Sequence, residues 1–166
     1  WNYFYRDGTL RTSGTYLADK QTGQWTYWYK NGQKEMEGSF ASQRRSGLWQ
    51  YWHSSGKQRA EGSFDGGRES GPWTFRNSDG GVERGGYFDR GRLALRWSYW
   101  HLGGEKQKAE GYYLDGIKVG RWRFWAEDGG VAEKLFPLPE GVELVRETWP
   151  DGTPRREGFR RNGDPT

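Results

Sequence analysis

The sequence predicts an all-β fold: an elongated, single-layer antiparallel meander of stacked β-hairpin repeats, each about 24 residues long. Three observations predict it. Trp1, Trp25, Trp49, Trp73, Trp97 and Trp122 stand at successive steps of 24, 24, 24, 24 and 25 residues. Two residues after each comes another aromatic: Tyr3, Tyr27, Tyr51, Phe75, Tyr99 and Phe124. Seven residues after each comes a glycine: Gly8, Gly32, Gly56, Gly80, Gly104 and Gly129.

The unit starting at Trp25 shows how each hairpin is built. Asn31-Gly32 is a strong signal for a two-residue type I′ turn. It joins a strand from Trp25 to Lys30 to a second from Gln33 to Phe40. Centring the turn there sets Trp25 opposite Gly38 and Gly23 opposite Phe40, so each ring is expected to cover the bare backbone of the glycine it faces. Alternation of side chains places Trp25, Tyr27, Tyr29, Met36, Gly38 and Phe40 on an aromatic face. Thr26, Trp28, Glu35 and Glu37 then fall on a polar face.

The other units follow in order. The first, from Trp1, carries Asp7-Gly8, Ser13-Gly14 and Tyr16 in register. The third, from Trp49, carries Ser55-Gly56, Glu61-Gly62 and Phe64. The fourth, from Trp73, keeps Asp79-Gly80, Gly86 and Phe88 but has Arg76 in place of an aromatic. The fifth, from Trp97, has Leu95 in place of the preceding glycine and an extra residue near Leu102-Gly103-Gly104. The sixth, from Trp122, keeps Asp128-Gly129 and reads Lys134-Leu135 where a Glu-Gly pair is due. Phe136-Pro137-Leu138-Pro139 then interrupts the ladder, because proline has no amide to donate. The expected division is six repeats over 1–136, followed by a break and a degenerate capping repeat over 137–166. That last unit has its turn near Thr148-Trp149-Pro150-Asp151-Gly152 and its second strand at Arg156-Glu157-Gly158-Phe159.

Composition supports this architecture and narrows the function classes. Aromatic residues make up 17% of the chain against 32% for all hydrophobic types, so rings replace the usual aliphatic core. No cysteine is present, which excludes disulfides and thiolate metal sites. No apolar run reaches membrane-spanning length. The chain opens at Trp1 already in register, as a trimmed or processed chain would. Net charge is +4, with 26 cationic and 22 anionic residues well mixed, which argues against a dedicated nucleic-acid surface. None of these features selects between a cytoplasmic and an extracytoplasmic setting.

The unit Gly-x-Trp-x-x-Tyr/Trp, then Asn-Gly or Asp-Gly, then Glu-Gly-x-Phe, resembles the MORN repeat. It is most similar to the bacterial variant found in antitoxin proteins of toxin–antitoxin pairs. The resemblance runs well from Trp1 to about Phe136 and poorly from Val142 to Gly163. It implies a single-layer sheet of stacked hairpins, with roles in protein binding, scaffolding, self-association or contact with lipid headgroups, and no catalytic residues. Trp1-Asn2-Tyr3-Phe4-Tyr5-Arg6-Asp7-Gly8 also resembles the choline- and glucan-binding repeats of bacterial surface proteins. Those repeats are usually shorter, and the recurring Glu-Gly-Ser-Phe favours MORN.

No enzyme constellation is visible. His53 and His101 occupy a slot filled elsewhere by Tyr5, Tyr29, Asn77 and Ala126, which marks them as ordinary residues of the repeat. Glu37, Glu61 and Glu110 recur beside a glycine and are expected to form cross-strand pairs with basic neighbours. No cofactor or metal is expected. The contact residues expected are the second aromatic series on the polar face, Phe4, Trp28, Trp52, Trp100 and Trp125, since exposed rings are typical interface anchors. The reading is a non-enzymatic protein-binding or scaffold repeat protein that uses an aromatic sheet face and is antitoxin-like or self-assembling. The alternative is a carbohydrate- or choline-binding cell-surface module in which the tryptophans stack on sugar rings. Single-stranded nucleic acid ranks last because the charge is mixed.

Overall fold

A computed structural model describes residues 1–162, with backbone alone at 154–156. Gly163 to Thr166, counted above in the last repeat, lie outside the described residues. No helix occurs among the described residues. Twelve strands form one antiparallel meander in sequence order: β1 Asn2–Phe4, β2 Leu10–Leu17, β3 Lys20–Trp28, β4 Lys34–Ala41, β5 Arg44–Trp52, β6 Gln58–Asp65, β7 Arg68–Arg76, β8 Val82–Asp89, β9 Arg92–Trp100, β10 Gln107–Leu114, β11 Ile117–Trp125 and β12 Val131–Phe136. β1 does not pair with β12, so the sheet stays open rather than closing into a barrel. β13 Val142–Thr148 and β14 Pro154–Arg161 form a separate two-stranded sheet.

The register over Trp25 agrees with the sequence: Trp25 faces Gly38 and Gly23 faces Phe40. The turn chemistry does not. β3 ends at Trp28 and β4 begins at Lys34, with a register shift between Tyr27 and Trp28. The amide of Gly32 donates to Tyr29 O at 2.9 Å and the amide of Tyr29 donates to Gln33 O at 2.8 Å. Gly32 has φ +81° and Asn31 is absent from the left-handed region. This is a three-residue loop closed by a glycine bulge, not a type I′ pair. The Asn31 carboxamide oxygen instead accepts from the Gln33 amide at 3.1 Å. Lys34, rather than Glu35, therefore stands beside Trp28.

The two-residue turns lie between the repeats. Ala18-Asp19, Ser42-Gln43, Gly66-Gly67, Arg90-Gly91 and Asp115-Gly116 all have positive φ at both central positions. That is the type I′ geometry whose twist matches a right-handed strand pair.

A second irregularity recurs in the odd-numbered strands. Gly38 pairs with Trp49 while Ser39 pairs with Ser46, so Gly47 and Leu48 are extra residues. Gly23, Gly47, Gly71 and Gly120 all sit in the left-handed region at this bulge, and Leu95 shares it with φ +56°. The bulge tips each tryptophan backwards. The Trp25 ring lies over Gly14, and Trp49, Trp73, Trp97 and Trp122 lie over Gly38, Gly62, Gly86 and Gly111 of the preceding unit. The expectation that a ring covers the glycine it faces within its own hairpin is thus corrected: Trp49, not Trp25, fills the place above Gly38. Gly23, facing Phe40, has open space where a Cβ would be; its role is the bulge.

The bulge also supplies a hydrogen-bond partner for each indole N–H. Trp49 Nε1 donates to Ser39 O at 3.1 Å, and Trp73, Trp97 and Trp122 repeat the contact to Ser63, Tyr87 and Tyr112. A buried indole is thereby fully satisfied.

The glycine series ends at Lys134, which faces Trp122 and lies over the Phe136 ring at 5.0 Å. A following tryptophan would have no bare backbone to lie on, and the meander stops. Pro137 and Pro139 follow. The chain then turns β13 and β14 onto the polar face, where Phe159 packs edge-on against Tyr112 at 6.3 Å. The twelve strands thus form the open antiparallel meander expected, and the separate β13–β14 hairpin rests on part of its polar face.

Candidate binding faces

The aromatic face is one continuous lattice of rings. Trp25, Phe40, Trp49, Phe64, Trp73, Phe88, Trp97, Tyr113, Trp122 and Phe136 alternate edge-to-face with centroids 5.1 to 6.4 Å apart. Trp49 and Trp122 are 0% exposed although no second layer lies above them among the described residues, because rings cover rings. Each such pair adds about 0.5–1.5 kcal/mol beyond its buried area. Beside this row runs another of Tyr27, Tyr51, Phe75, Tyr99 and Phe124, each against its neighbouring tryptophan. Burial raises the Tyr27, Tyr51 and Tyr99 phenols above their ordinary value, and the hydroxyl contact with Tyr113 raises Tyr99 further.

A groove of about 450 Å³ opens in the middle of this face. Its floor is Ala60, held between Tyr51 and Phe75. One repeat earlier the same slot holds Met36, and one repeat later Arg84. The small side chain at 60 makes the dent.

The polar face carries the second aromatic series. Trp28, Trp52, Trp100 and Trp125 are half-buried and Phe4 is exposed. The ring-ring contacts of the lattice do not include them. Trp28 stands across from Lys34, Trp52 from Gln58, Trp100 from Gln107 and Trp125 from Val131. Lys34 Nζ lies 4.9 Å from the Trp52 ring and donates to Glu37 at 2.7 Å. Gln58 donates to Glu61 and Gln107 to Glu110. The recurring glutamates therefore bond chiefly to the side chain three residues earlier on their own strand. The expected cross-strand pairing with a base occurs at Glu110, which Arg96 holds. Burial alone would raise the Glu110 carboxyl, but the bonds from Arg96 and Gln107 outweigh it and hold the group below its ordinary value.

The slot of His53 and His101 has a definite structural task. Tyr5 and Tyr29 donate their hydroxyls to Trp28 O and Trp52 O of the following unit, at 2.8 and 2.9 Å. His53 Nε2 makes the same contact to Arg76 O at 3.1 Å and His101 Nε2 to Trp125 O at 2.8 Å. A carbonyl only accepts, so each Nε2 carries a proton. No group of three or more His, Cys, Asp or Glu among the described residues is placed to hold a metal ion.

The site missed by the sequence is Tyr112. It lies on the polar face, yet it is 6% exposed because the C-terminal hairpin covers it. Its hydroxyl donates to Glu157 and accepts from Arg146. Arg146 pairs with Glu157 at 2.7 Å and stacks over the Tyr112 ring at 5.2 Å. Burial, then the Glu157 carboxylate, raises the Tyr112 phenol. A cleft of about 800 Å³ remains between hairpin and sheet, lined by Arg96, Arg121, Leu144 and Thr148 among others. No local signal marks this seat, because the doubled aromatic Tyr112-Tyr113 has a counterpart in Tyr87-Phe88, whose Tyr87 is exposed.

No helix among the described residues is long and apolar enough to cross a membrane, which says nothing of strands. None of the curated proteins matches the chain. A solved structure described as "Crystal structure of GtfA/B complex bound to UDP and GlcNAc" is similar over 75% of this chain at 11% identity, with a TM-score of 0.30. This chain spans 23% of the length of that one. Residues 21–41 match the family described as a MORN repeat variant. That stretch is nearly all of β3, its loop and β4, and the same hairpin pairing returns along the sheet, which is consistent with a MORN-repeat protein.

Proposed function

We propose that this chain is a non-enzymatic binding protein that holds a protein partner on its aromatic sheet face, in a scaffold or antitoxin-like role. MORN repeats are generally non-catalytic binding modules. The observation that carries the reading is the asymmetry of cover. Among the described residues the one second layer, β13–β14, packs on the polar face, while the ring lattice and its groove at Ala60 have no element above them. Uncovered apolar area of this kind marks interaction sites. Repeats spaced by two strand steps, about 10 Å, offer equivalent contacts that add by avidity.

Phe4, Trp28, Trp52, Trp100 and Trp125 form a second line of contact on the opposite face. They support the alternative reading, a carbohydrate- or choline-binding surface, because their rings are not engaged in the lattice.

Co-purification of the tagged protein from its source cells, with mass spectrometry of what is retained, separates the two. Wild type is compared with Ala60→Met, which fills the groove, and with Trp52→Ala on the other face. A stoichiometric protein lost only from Ala60→Met is the expected result. Retention of glycan without protein, abolished by Trp52→Ala, would overturn the reading in favour of the alternative.

A further inference from the structure

The charges of the two faces are arranged differently. On the polar face and in the C-terminal hairpin, cations meet carboxylates, even where, as at Lys34 and Arg146, they also lie over a ring: Lys34 with Glu37, Arg96 with Glu110, Arg123 with Glu133, Arg146 with Glu157. On the aromatic face four cations meet rings and no carboxylate. Arg45 lies 4.6 Å from the Trp49 ring, Arg59 5.6 Å from Tyr51, Arg84 4.4 Å from Phe75 and Lys118 4.2 Å from Trp122. None of these four is in an ion pair among the described residues. A guanidinium drawn to a ring face by cation–π attraction does not use its N–H donors in doing so. Arg59 and Arg84 use none of theirs within the described chain, and Arg45 spends them on Tyr51 Oη at 3.2 Å and the Met36 sulfur.

Three of these cations, Arg45, Arg59 and Arg84, rim the groove whose floor is Ala60. Two carboxylates, Glu69 and Glu83, line it as well without pairing to them. We propose that this groove binds an acidic protein segment, which sets an apolar side chain on Ala60 and carboxylates against Arg59 and Arg84. The inference rests on the aromatic face being the protein-binding face. Free guanidinium donors at the rim of an apolar floor match a carboxylate next to a hydrophobic group. Arg59 on β6 and Arg84 on β8 are two strands apart, about 10 Å, which an extended chain spans in about three residues. Glu69 and Glu83 repel a continuous polyanion, so spaced carboxylates are favoured over a nucleic acid or an anionic bilayer. The recessed floor also lies out of reach of a flat membrane surface.

The test is selection of a random peptide library on the intact protein, with counter-selection on Ala60→Met. That variant repeats what Met36 already does one unit earlier, and a thermal melt checks its fold. The expected peptides carry spaced Asp or Glu around an apolar residue. A synthetic winner loses about tenfold in affinity with either exposed-site variant, Arg59→Glu or Arg84→Glu, and keeps its affinity for Trp52→Ala. Neutral or basic winners that Ala60→Met still abolishes would overturn the acidic partner while leaving the aromatic-face reading in place. An empty selection, or winners indifferent to Ala60→Met, would overturn the groove itself. Flotation of the protein with vesicles of phosphatidylserine and phosphatidylcholine in equal parts, abolished by Arg59→Glu, would overturn the proposal in favour of a membrane.

Discussion

The Trp49 indole lies directly on the backbone of Gly38, so close that a Cβ at 38 would meet the ring at 2.3 Å. Real Cβ atoms do not approach that closely, and the ring cannot retreat because Phe40 and Phe64 hold its edges. Gly38→Ala is therefore expected to destabilise by about 1–3 kcal/mol or more through overpacking. Gly158→Ala has open space and serves as the control, with little change. Urea denaturation of both variants checks this; equal midpoints would show that the glycine series has no packing role.

Leu95 stands where the other repeats place glycine, with φ +56° at the bulge before Trp97. A left-handed conformation costs a non-glycine residue roughly 1–2 kcal/mol. Glycine gives back part of that gain through its freer unfolded chain. Leu95→Gly is expected to stabilise the protein by about 1 kcal/mol or less, and Gly47→Leu to destabilise it. Thermal melts of the pair provide the check, and a lowered midpoint for Leu95→Gly would show that its half-buried side chain outweighs the strain.

What could be read from residues alone follows from these two positions. The tryptophan period and the glycines facing it are dictated by contact, so they mark strand number and register from Trp1 to Phe136. The lean of each ring is decided by the bulge at Gly23 and its equivalents, which alternation along a strand does not encode. The type I′ turns were misplaced for a related reason. Strand twist forces Ala18-Asp19 and Ser42-Gln43 into left-handed conformations that those residues do not advertise. Asn31-Gly32, the strongest local signal, serves a longer loop. On the polar face, Tyr112 has the same strand position as exposed Tyr87, and only the long-range return of β13–β14 separates them.

The buried phenols set an alkaline limit. Burial raises Tyr27, Tyr51 and Tyr99 in the folded state, while the unfolded chain ionises them near 10. Below that pH both states are neutral and their contribution is fully present. As pH rises past it, the unfolded state loses protons first, so stability falls. Spectrophotometric titration of phenolate is expected to show a group of tyrosines that ionise only together with loss of the folded circular dichroism signal. Smooth ionisation of all ten tyrosines near 10 with the fold intact would contradict it.

The C-terminal hairpin is held to the sheet through few described contacts, and Tyr112 is at their centre. Its hydroxyl joins Arg146 and Glu157, and its ring meets Phe159. Tyr112→Ala removes the ring and leaves the Arg146–Glu157 pair without its third member, while Trp122 keeps its bond to the backbone carbonyl at 112. The expected outcome is release of β13–β14 from a sheet that stays folded. Hydrogen exchange should then rise in 142–161 and on the polar face of β9 to β11, and proteases should cut near Pro137–Gly141. The aromatic lattice should keep its protection, because its rings face the other way. Uniform loss of protection from β1 to β12 would instead mean that the hairpin supports the whole sheet, and unchanged exchange would mean that contacts other than Tyr112 hold it.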